Sequence, residues 1–176
     1  MKRKILKIVI LILSIILLLL CGTAFALMYR QTQPLNNQLE AAFVACDVEE
    51  DFNGETKTSI AIKNTGNIDA YLRVRLVSYW VDADGNIVAK PSAMPEINMA
   101  AGWIKGANNT YYHTKPVSPA AYTGSLLSSP INLEKDENGY LQVIEVFAEA
   151  IQSEPRNAVT GSWGVTVDSN GNIVSQ

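Results

Sequence analysis

The chain has 176 residues, with 14 lysines and arginines against 17 aspartates and glutamates, and only one histidine. The charges are divided unevenly: Lys2, Arg3, Lys4 and Lys7 precede a long apolar run, and the rest of the chain carries a net charge of −7. This division argues against a nucleic-acid binder, which needs clustered cations to neutralise phosphates. A basic start followed by an apolar run also rules out an ordinary cytosolic protein.

The first predicted element is an apolar leader, whose stretch from Ile8 to Tyr29 carries no charged side chain. Ionised groups are costly in hydrocarbon, so such a run marks a segment recognised by the secretion machinery and predicts export of the chain that follows. Ala24 and Ala26 form a small-x-small site, which suits a cleaved signal peptide over residues 1–26. The run is also long enough to span a bilayer uncut, in which case residues 1–29 form a membrane anchor.

The two cysteines lie in different parts of the chain. Cys21 follows Leu20 in the leader, whereas a lipid-modified cysteine normally follows a small residue, so a simple hydrophobic role is favoured over a lipoprotein site. Cys46 alternates with Val44 and Val48, a pattern that predicts the inward face of a strand. A single cysteine cannot form a disulfide within the exported domain, so that domain depends on packing for its stability.

A polar, aperiodic segment over residues 27–40 is predicted to be an extended arm or linker, and residues 41–176 are predicted to form one domain of short strands. Asn, Asp and Gly turns separate these strands, a pattern typical of an all-β protein with an antiparallel β-sandwich. One short helix is predicted near 155–161, because Pro155 follows polar residues as at a helix start. The predicted strands lie at about 41–50, 56–63, 70–81, 86–89, 103–105, 110–113, 126–127, 140–151, 165–167 and 173–174.

Charged side chains have matched spacing on two of these strands. Arg73 and Arg75 share one face of the strand predicted at 70–81, and Glu145 and Glu149 share one face of the strand predicted at 140–151. If the strands are neighbours, cross-strand ion pairs follow, each worth about 0.2–1 kcal/mol. In the turn before the strand predicted at 70–81, Gly66 is predicted to adopt a positive φ.

The sequence contains little that indicates catalysis. His113 is the single histidine, and neither a zinc motif, a nucleophile elbow nor a glycine-rich nucleotide loop is present, so we predict no catalytic, cofactor-binding or metal-binding residues. The loops that begin at Asp82 and Asp168 resemble the start of a calcium loop. In the first of them Ile87 stands where the calcium loop needs glycine, and ordinary hairpin turns explain both, so calcium remains only an alternative.

Aromatic side chains are concentrated around the hairpin predicted at residues 103–113. Trp103, Tyr111 and Tyr112 could stack on sugars or contact a protein partner. Together with Tyr122, they suit a hydrophobic cluster under the loops of residues 90–130, which is the favoured interpretation.

Four segments of the predicted domain stand out: residues 46–57, 62–73 (IKNTGNIDAYLR), 79–85 and 148–164. Together they resemble the TasA/camelysin-like family of secreted proteins from Gram-positive bacteria. The resemblance covers nearly the whole mature domain, and its most specific part is a strand, a glycine turn and a second strand.

The resemblance implies a jelly-roll-like β-sandwich and a secreted or cell-surface protein of an extracellular fibre or biofilm matrix. In the family a SipW-type signal peptidase removes the leader, and the matching positions here are Ala24 and Ala26. The implied partners are further copies of the chain or other matrix proteins. Camelysins are described as metallopeptidases, but that activity is not carried over, since no metal motif is visible.

Assembly without catalysis is therefore the favoured function. We hypothesise that the arm over residues 27–40, once freed by cleavage, adds as a strand to the open sheet of a neighbouring subunit. An uncleaved leader would make the same domain a membrane-tethered anchor of the fibre. Two alternatives remain: a surface module that binds glycans or proteins through Trp103 and its neighbours, and a camelysin-like metallopeptidase.

Overall fold

The computed structural model describes residues 2–31 and 40–176. The chain divides into two compact units, one up to Glu40 and the other from Ala41 onward. The first unit is α1 (Lys2–Gln31). Within α1, Arg3–Thr23 forms a candidate membrane span of 21 residues with a mean hydropathy of 3.1.

The apolar N-terminal helix is therefore confirmed, and both a signal sequence and a membrane span have this length and composition. Ala24 and Ala26 lie inside α1, and cleavage after Ala26 stays a prediction. The prediction of an extended arm over residues 27–40 is wrong for residues 27–31, which continue α1. Leucine, methionine, arginine and glutamine are good helix formers, and the next proline is Pro34. The remainder of the predicted arm, residues 32–39, lies outside the described residues.

Between residues 40 and 176, short strands dominate and all their ladders are antiparallel, so the mostly-β antiparallel class is confirmed. The strand predicted at 126–127 is reduced to one isolated bridge between Met99 and Leu127. The elements are β1 (Cys46–Phe52), β2 (Thr56–Asn64), β3 (Ala70–Val81), β4 (Ile87–Val88), β5 (Trp103–Lys105), β6 (Thr110–His113), β7 (Ile131–Asn132), β8 (Leu141–Gln152), α2 (Asn157–Trp163), β9 (Thr166–Val167) and β10 (Ile173–Ser175).

The strands form two larger sheets and one small hairpin. The first sheet has the order β1-β2-β7, and β9 pairs with β10 alone. In the second sheet β3 is central: β8 pairs with it along its whole length on one side, while β6 and β4 pair with different parts of its other side. β5 completes this sheet beyond β6.

Two hydrophobic clusters stabilise the domain, one on each face of β3. The first joins both sheets, because Ile60 and Ile62 of β2 pack with the side chains of β3 that alternate inward. The predicted inward face of β3 is confirmed, since Leu72 and Val74 are fully buried. Successive side chains of a strand point to opposite faces, so the buried residues of β3 recur at every second position. The finer description as a jelly-roll β-sandwich stays a prediction.

The second cluster covers one end of the outer face of β3. Tyr71 and Tyr112 pack there against α2, which contributes Val159 and Trp163. The helix was predicted at 155–161 but runs from Asn157 to Trp163, so Pro155 precedes the helix and does not occupy its first turn. It ends where Gly164 adopts a left-handed conformation, φ 66°, and its N–H donates to the carbonyl of Thr160.

Candidate assembly edge

In the described part of the chain, the longest strand edges without a pairing strand belong to β1 and β8. β1 is the end strand of its sheet, and β8 pairs with β3 on one side only. The two strands lie next to each other, yet no ladder joins them. A groove with a volume of about 470 Å³ runs between them, and we call it the edge groove. Its lining residues are Val48, Glu50, Tyr79, Val143, Ile144, Glu145 and Val146.

The start of the free edge of β8 is covered by the segment that precedes this strand. Lys135 forms a bridge with Leu141, and the N–H of Gln142 donates to the carbonyl of Glu134 at 2.8 Å. From Val143 onward the described residues leave this edge of β8 unpaired. Unpaired N–H and C=O groups in a row form a template for another strand.

The charge of β1 determines which strand could pair there. Its sequence, CDVEEDF, contains four acidic side chains, and Lys57 neutralises only that of Glu50 in an ion pair. Two β1 edges would therefore repel each other. A neutral segment meets no such repulsion, and the stretch from Leu27 to Glu40 carries one arginine and one glutamate.

Cys46 lies at the start of β1 and packs half-buried against the first hydrophobic cluster, as the alternation predicted. Burial raises the pKa of the Cys46 thiol, and the nearby charges of Asp47 and Glu149 raise it further. A thiol of raised pKa is mostly protonated and unreactive at neutral pH. The arrangement supports a structural role for this side chain.

The segment directly before β1 is held by the turn that links β2 to β3. The side chain of Asn67 accepts a hydrogen bond from the N–H of Phe43 at 2.8 Å and donates to the carbonyl of Ala41 at 2.9 Å. The N–H groups of Thr65 and Gly66 donate to the carbonyl of Ala45. We call this set of contacts the entry clamp, because it fixes where the chain enters the domain.

The entry clamp corrects the prediction for Gly66, which does not adopt a positive φ. The glycine is needed for space: a Cβ here would lie 2.7 Å from the carbonyl oxygen of Phe43 and 3.0 Å from the nitrogen of Ala45. Asn64 also stabilises the turn, since its buried amide donates to the carbonyls of Ile68 and Val117. The sequence contained this signal as the NTGN segment, but nothing in it showed which residues the turn would contact.

The three aromatic residues predicted to contact a glycan or partner are not available on the surface. Trp103, Tyr111 and Tyr112 are 5%, 0% and 1% exposed. The indole N–H of Trp103 donates to the carbonyl of Gly124 at 3.2 Å, so its polar atom is also used inside the domain. Stacking on a sugar needs an exposed ring face, and the favoured hydrophobic-cluster interpretation is confirmed for Trp103 and Tyr111, which belong to the first cluster. Tyr112 is also buried, but in the second cluster against α2. Tyr122 differs, because it is 47% exposed.

The loops considered for calcium are closed by their own aspartates. The Oδ1 atom of Asp82 accepts hydrogen bonds from the N–H groups of Asp84 and Asn86, and Asp168 makes the same pair of contacts with Asn170 and Asn172. These hydrogen bonds lower the pKa of both aspartates. Each carboxylate thus serves its hairpin turn, as the hairpin explanation of these loops requires. No group of three or more metal-binding side chains converges in residues 2–31 and 40–176.

His113 lies half-buried at the end of β6. Its Nδ1 atom is hydrogen-bonded to the carbonyl of Lys115 at 2.8 Å, and its ring contacts Trp103 edge-on with centroids 5.3 Å apart. Burial lowers the pKa of His113.

Comparison of the chain with protein-family models, with curated proteins and with solved structures finds no match. The resemblance to TasA/camelysin-like proteins therefore stays a prediction that rests on the segments quoted above.

Proposed function

We propose that this protein is a secreted or cell-surface structural protein, a subunit of a fibre or matrix or the anchor of one, which assembles by β-strand addition. The observation that carries the proposal is the edge groove between β1 and β8, where two neighbouring strand edges share no ladder. The TasA/camelysin-like resemblance and a jelly-roll-like domain fit the same proposal. In this proposal the protein is not an enzyme.

The donor strand would be the segment over residues 27–40 of another copy. Cleavage after Ala26 would leave residues 27–31 with only five helical positions, and a helix this short is not stable alone because nucleation is costly. The released segment would then be free to extend. Its near-neutral charge suits the acidic β1 edge, whereas a second β1 edge would be repelled.

The entry clamp supports this division of roles. It fixes residues 41–45 to the turn at Asn67 through side-chain and main-chain hydrogen bonds. The donor segment would therefore leave the domain at a defined point, which a regular polymer needs.

Electron microscopy of two purified proteins tests the proposal, one that starts at Leu27 and one that starts at Ala41. We expect fibres from the first and monodisperse particles from the second, since only the first has a donor strand. A third protein that starts at Leu27 but carries Asn37→Pro and Leu39→Pro lacks two main-chain donors and should assemble poorly. Monodisperse particles from the Leu27 protein at all concentrations would refute strand addition, as would equal fibre formation by all three proteins.

A further inference from the structure

The outer face of the β3–β8 ladder is covered at one end only. Register places six pairs of side chains on this face, from Tyr71 opposite Ile151 to Val81 opposite Leu141. The second hydrophobic cluster covers the first of these pairs, because Tyr71 is 1% exposed beneath α2. The last four pairs are half-buried or exposed, and we call them the open face: Arg75–Phe147, Val77–Glu145, Tyr79–Val143 and Val81–Leu141.

Six of the eight side chains of the open face are apolar or aromatic. Phe147 and Leu141 are 42% and 44% exposed. An antiparallel sheet with one face in water normally alternates apolar and polar residues, so that the solvent face is polar. Contiguous apolar side chains on a solvent face indicate a docking surface.

The two charges of the open face have opposite signs and lie on adjacent pairs of the ladder, Arg75 on β3 and Glu145 on β8. In residues 2–31 and 40–176, neither forms an ion pair. The guanidinium of Arg75 lies over the ring of Phe147, 5.8 Å from its centroid. A surface with one cation and one anion in an apolar setting is complementary to itself, whereas a basic or acidic partner would match only one of the two.

We propose that the open face docks on the open face of a second copy of this chain, about a two-fold axis that passes between Arg75 and Glu145. In a two-fold contact, if residue i meets residue j then j also meets i. Each Arg75 would therefore pair with the partner subunit's Glu145, and Val77 and Phe147 would pack close to the axis. The contact uses a sheet face and not a strand edge, although Tyr79, Val143 and Glu145 belong both to the open face and to the lining of the edge groove.

The size of the open face determines how the contact must be measured. Four pairs span about 20 Å along the ladder at about 3.3 Å per residue, so the face covers on the order of 300 Å². Stable complexes bury about 800 Å² per partner. The contact is consequently weak in dilute solution and becomes effective when a membrane helix or a fibre holds copies close together.

Cross-linking of the full chain in lipid vesicles tests the proposal. In a background with Cys21→Ser and Cys46→Ala, Val77→Cys places a thiol near the two-fold axis, and a short bis-maleimide should join two copies. Val174→Cys is the matched control, because Val174 is an apolar strand residue, 51% exposed, on β10 outside the open face. Equal dimer yields at the two positions would overturn the proposal.

Charge reversal in the same vesicles tests the pairing itself. Arg75→Glu and Glu145→Arg should each lower the dimer yield of Val77→Cys by about tenfold, since both ion pairs become repulsions. The combined Arg75→Glu and Glu145→Arg variant should restore it. A double variant no better than the single ones would overturn the pairing. If circular dichroism shows that the cysteine background does not fold, sedimentation of the concentrated native-cysteine chain with the same charge variants decides the matter by the same criteria.

Discussion

Arg73 on β3 and Glu149 on β8 occupy the same pair of the ladder, and their side chains form an ion pair of 2.7 Å. The guanidinium of Arg73 also lies 4.6 Å from the ring centroid of Trp163. One arginine therefore links the two longest strands and attaches α2 to them. The matched spacing predicted this ion pair correctly, but the second pair that it predicted, between Arg75 and Glu145, is not among the ion pairs of the described residues. The stacking depends on where α2 packs, which the spacing does not show.

Replacement of Arg73 should destabilise the domain more than replacement of its partner. Arg73→Ala removes both the ion pair and the stacking on Trp163, and we expect a loss of about 1–3 kcal/mol in the free energy of unfolding. Glu149→Gln removes only a solvent-exposed ion pair and should cost about 0.2–1 kcal/mol. Urea unfolding followed by tryptophan fluorescence measures both, and equal losses would contradict the stacking role.

Gly66 should tolerate no side chain, although its φ is ordinary. Gly66→Ala puts a Cβ within 2.7 Å of the Phe43 carbonyl, so the entry clamp must open or shift. We expect a loss of about 1–3 kcal/mol in the free energy of unfolding, typical of overpacking, and faster amide hydrogen exchange at residues 43–45. Gly124→Ala is the matched control, because no atom lies within 4 Å of its Cβ position. Similar exchange rates in the two variants would contradict the clamp.

These residues show which parts of the fold could be predicted from the sequence. Alternation over Leu72 and Val74 predicted β3 from residue 70 to 81 because side-chain direction along a strand is local. The turn at Gly66 was predicted correctly, but its reason was wrong, since the close approach of Phe43 is a contact between residues distant in sequence. Burial of Trp103 also depends on residues distant in sequence. Its ring suits a surface or a core equally well until the neighbouring sheet is known.

The edge groove was only partly predictable for a similar reason. An open sheet edge was expected, but the sequence does not specify which strands remain unpaired. That depends on sheet order, and β1 lies next to β8 although almost a hundred residues separate them. The open face has the same origin, because Val77 and Phe147 share a surface only through the register of the ladder.

Acid should weaken the turn at Asp136, because Lys90 and the N–H groups of Asn138 and Tyr140 hold its pKa at about 2. A carboxyl whose pKa is lower in the folded chain than in the unfolded chain stabilises the fold above its usual pKa, and that contribution is lost as pH falls towards 2. Asp136→Asn cannot ionise but can still accept the hydrogen bonds of the turn. We therefore expect the stability difference between parent and variant to shrink as pH falls from about 5 to about 2.

Urea midpoints at a series of pH values measure this difference. Lys90→Gln provides a second arm, since it removes the main cause of the lowered pKa and leaves the carboxyl in place. In that variant the loss of stability should begin at higher pH, closer to the usual titration range of an aspartate. Parallel pH profiles for the parent and Asp136→Asn would contradict the assignment.

Truncation of Trp103 should act on stability and not on a surface contact. Its side chain is 5% exposed in the first hydrophobic cluster, so Trp103→Ala leaves a large cavity and should cost about 3–5 kcal/mol in the free energy of unfolding. Tyr122→Ala is the control, because Tyr122 is 47% exposed and should cost much less. A glycan array probed with the parent and both variants separates the two interpretations. Loss of glycan binding by Trp103→Ala with unchanged stability would show that its ring reaches the surface, whereas destabilisation by several kcal/mol is the outcome that the buried ring requires.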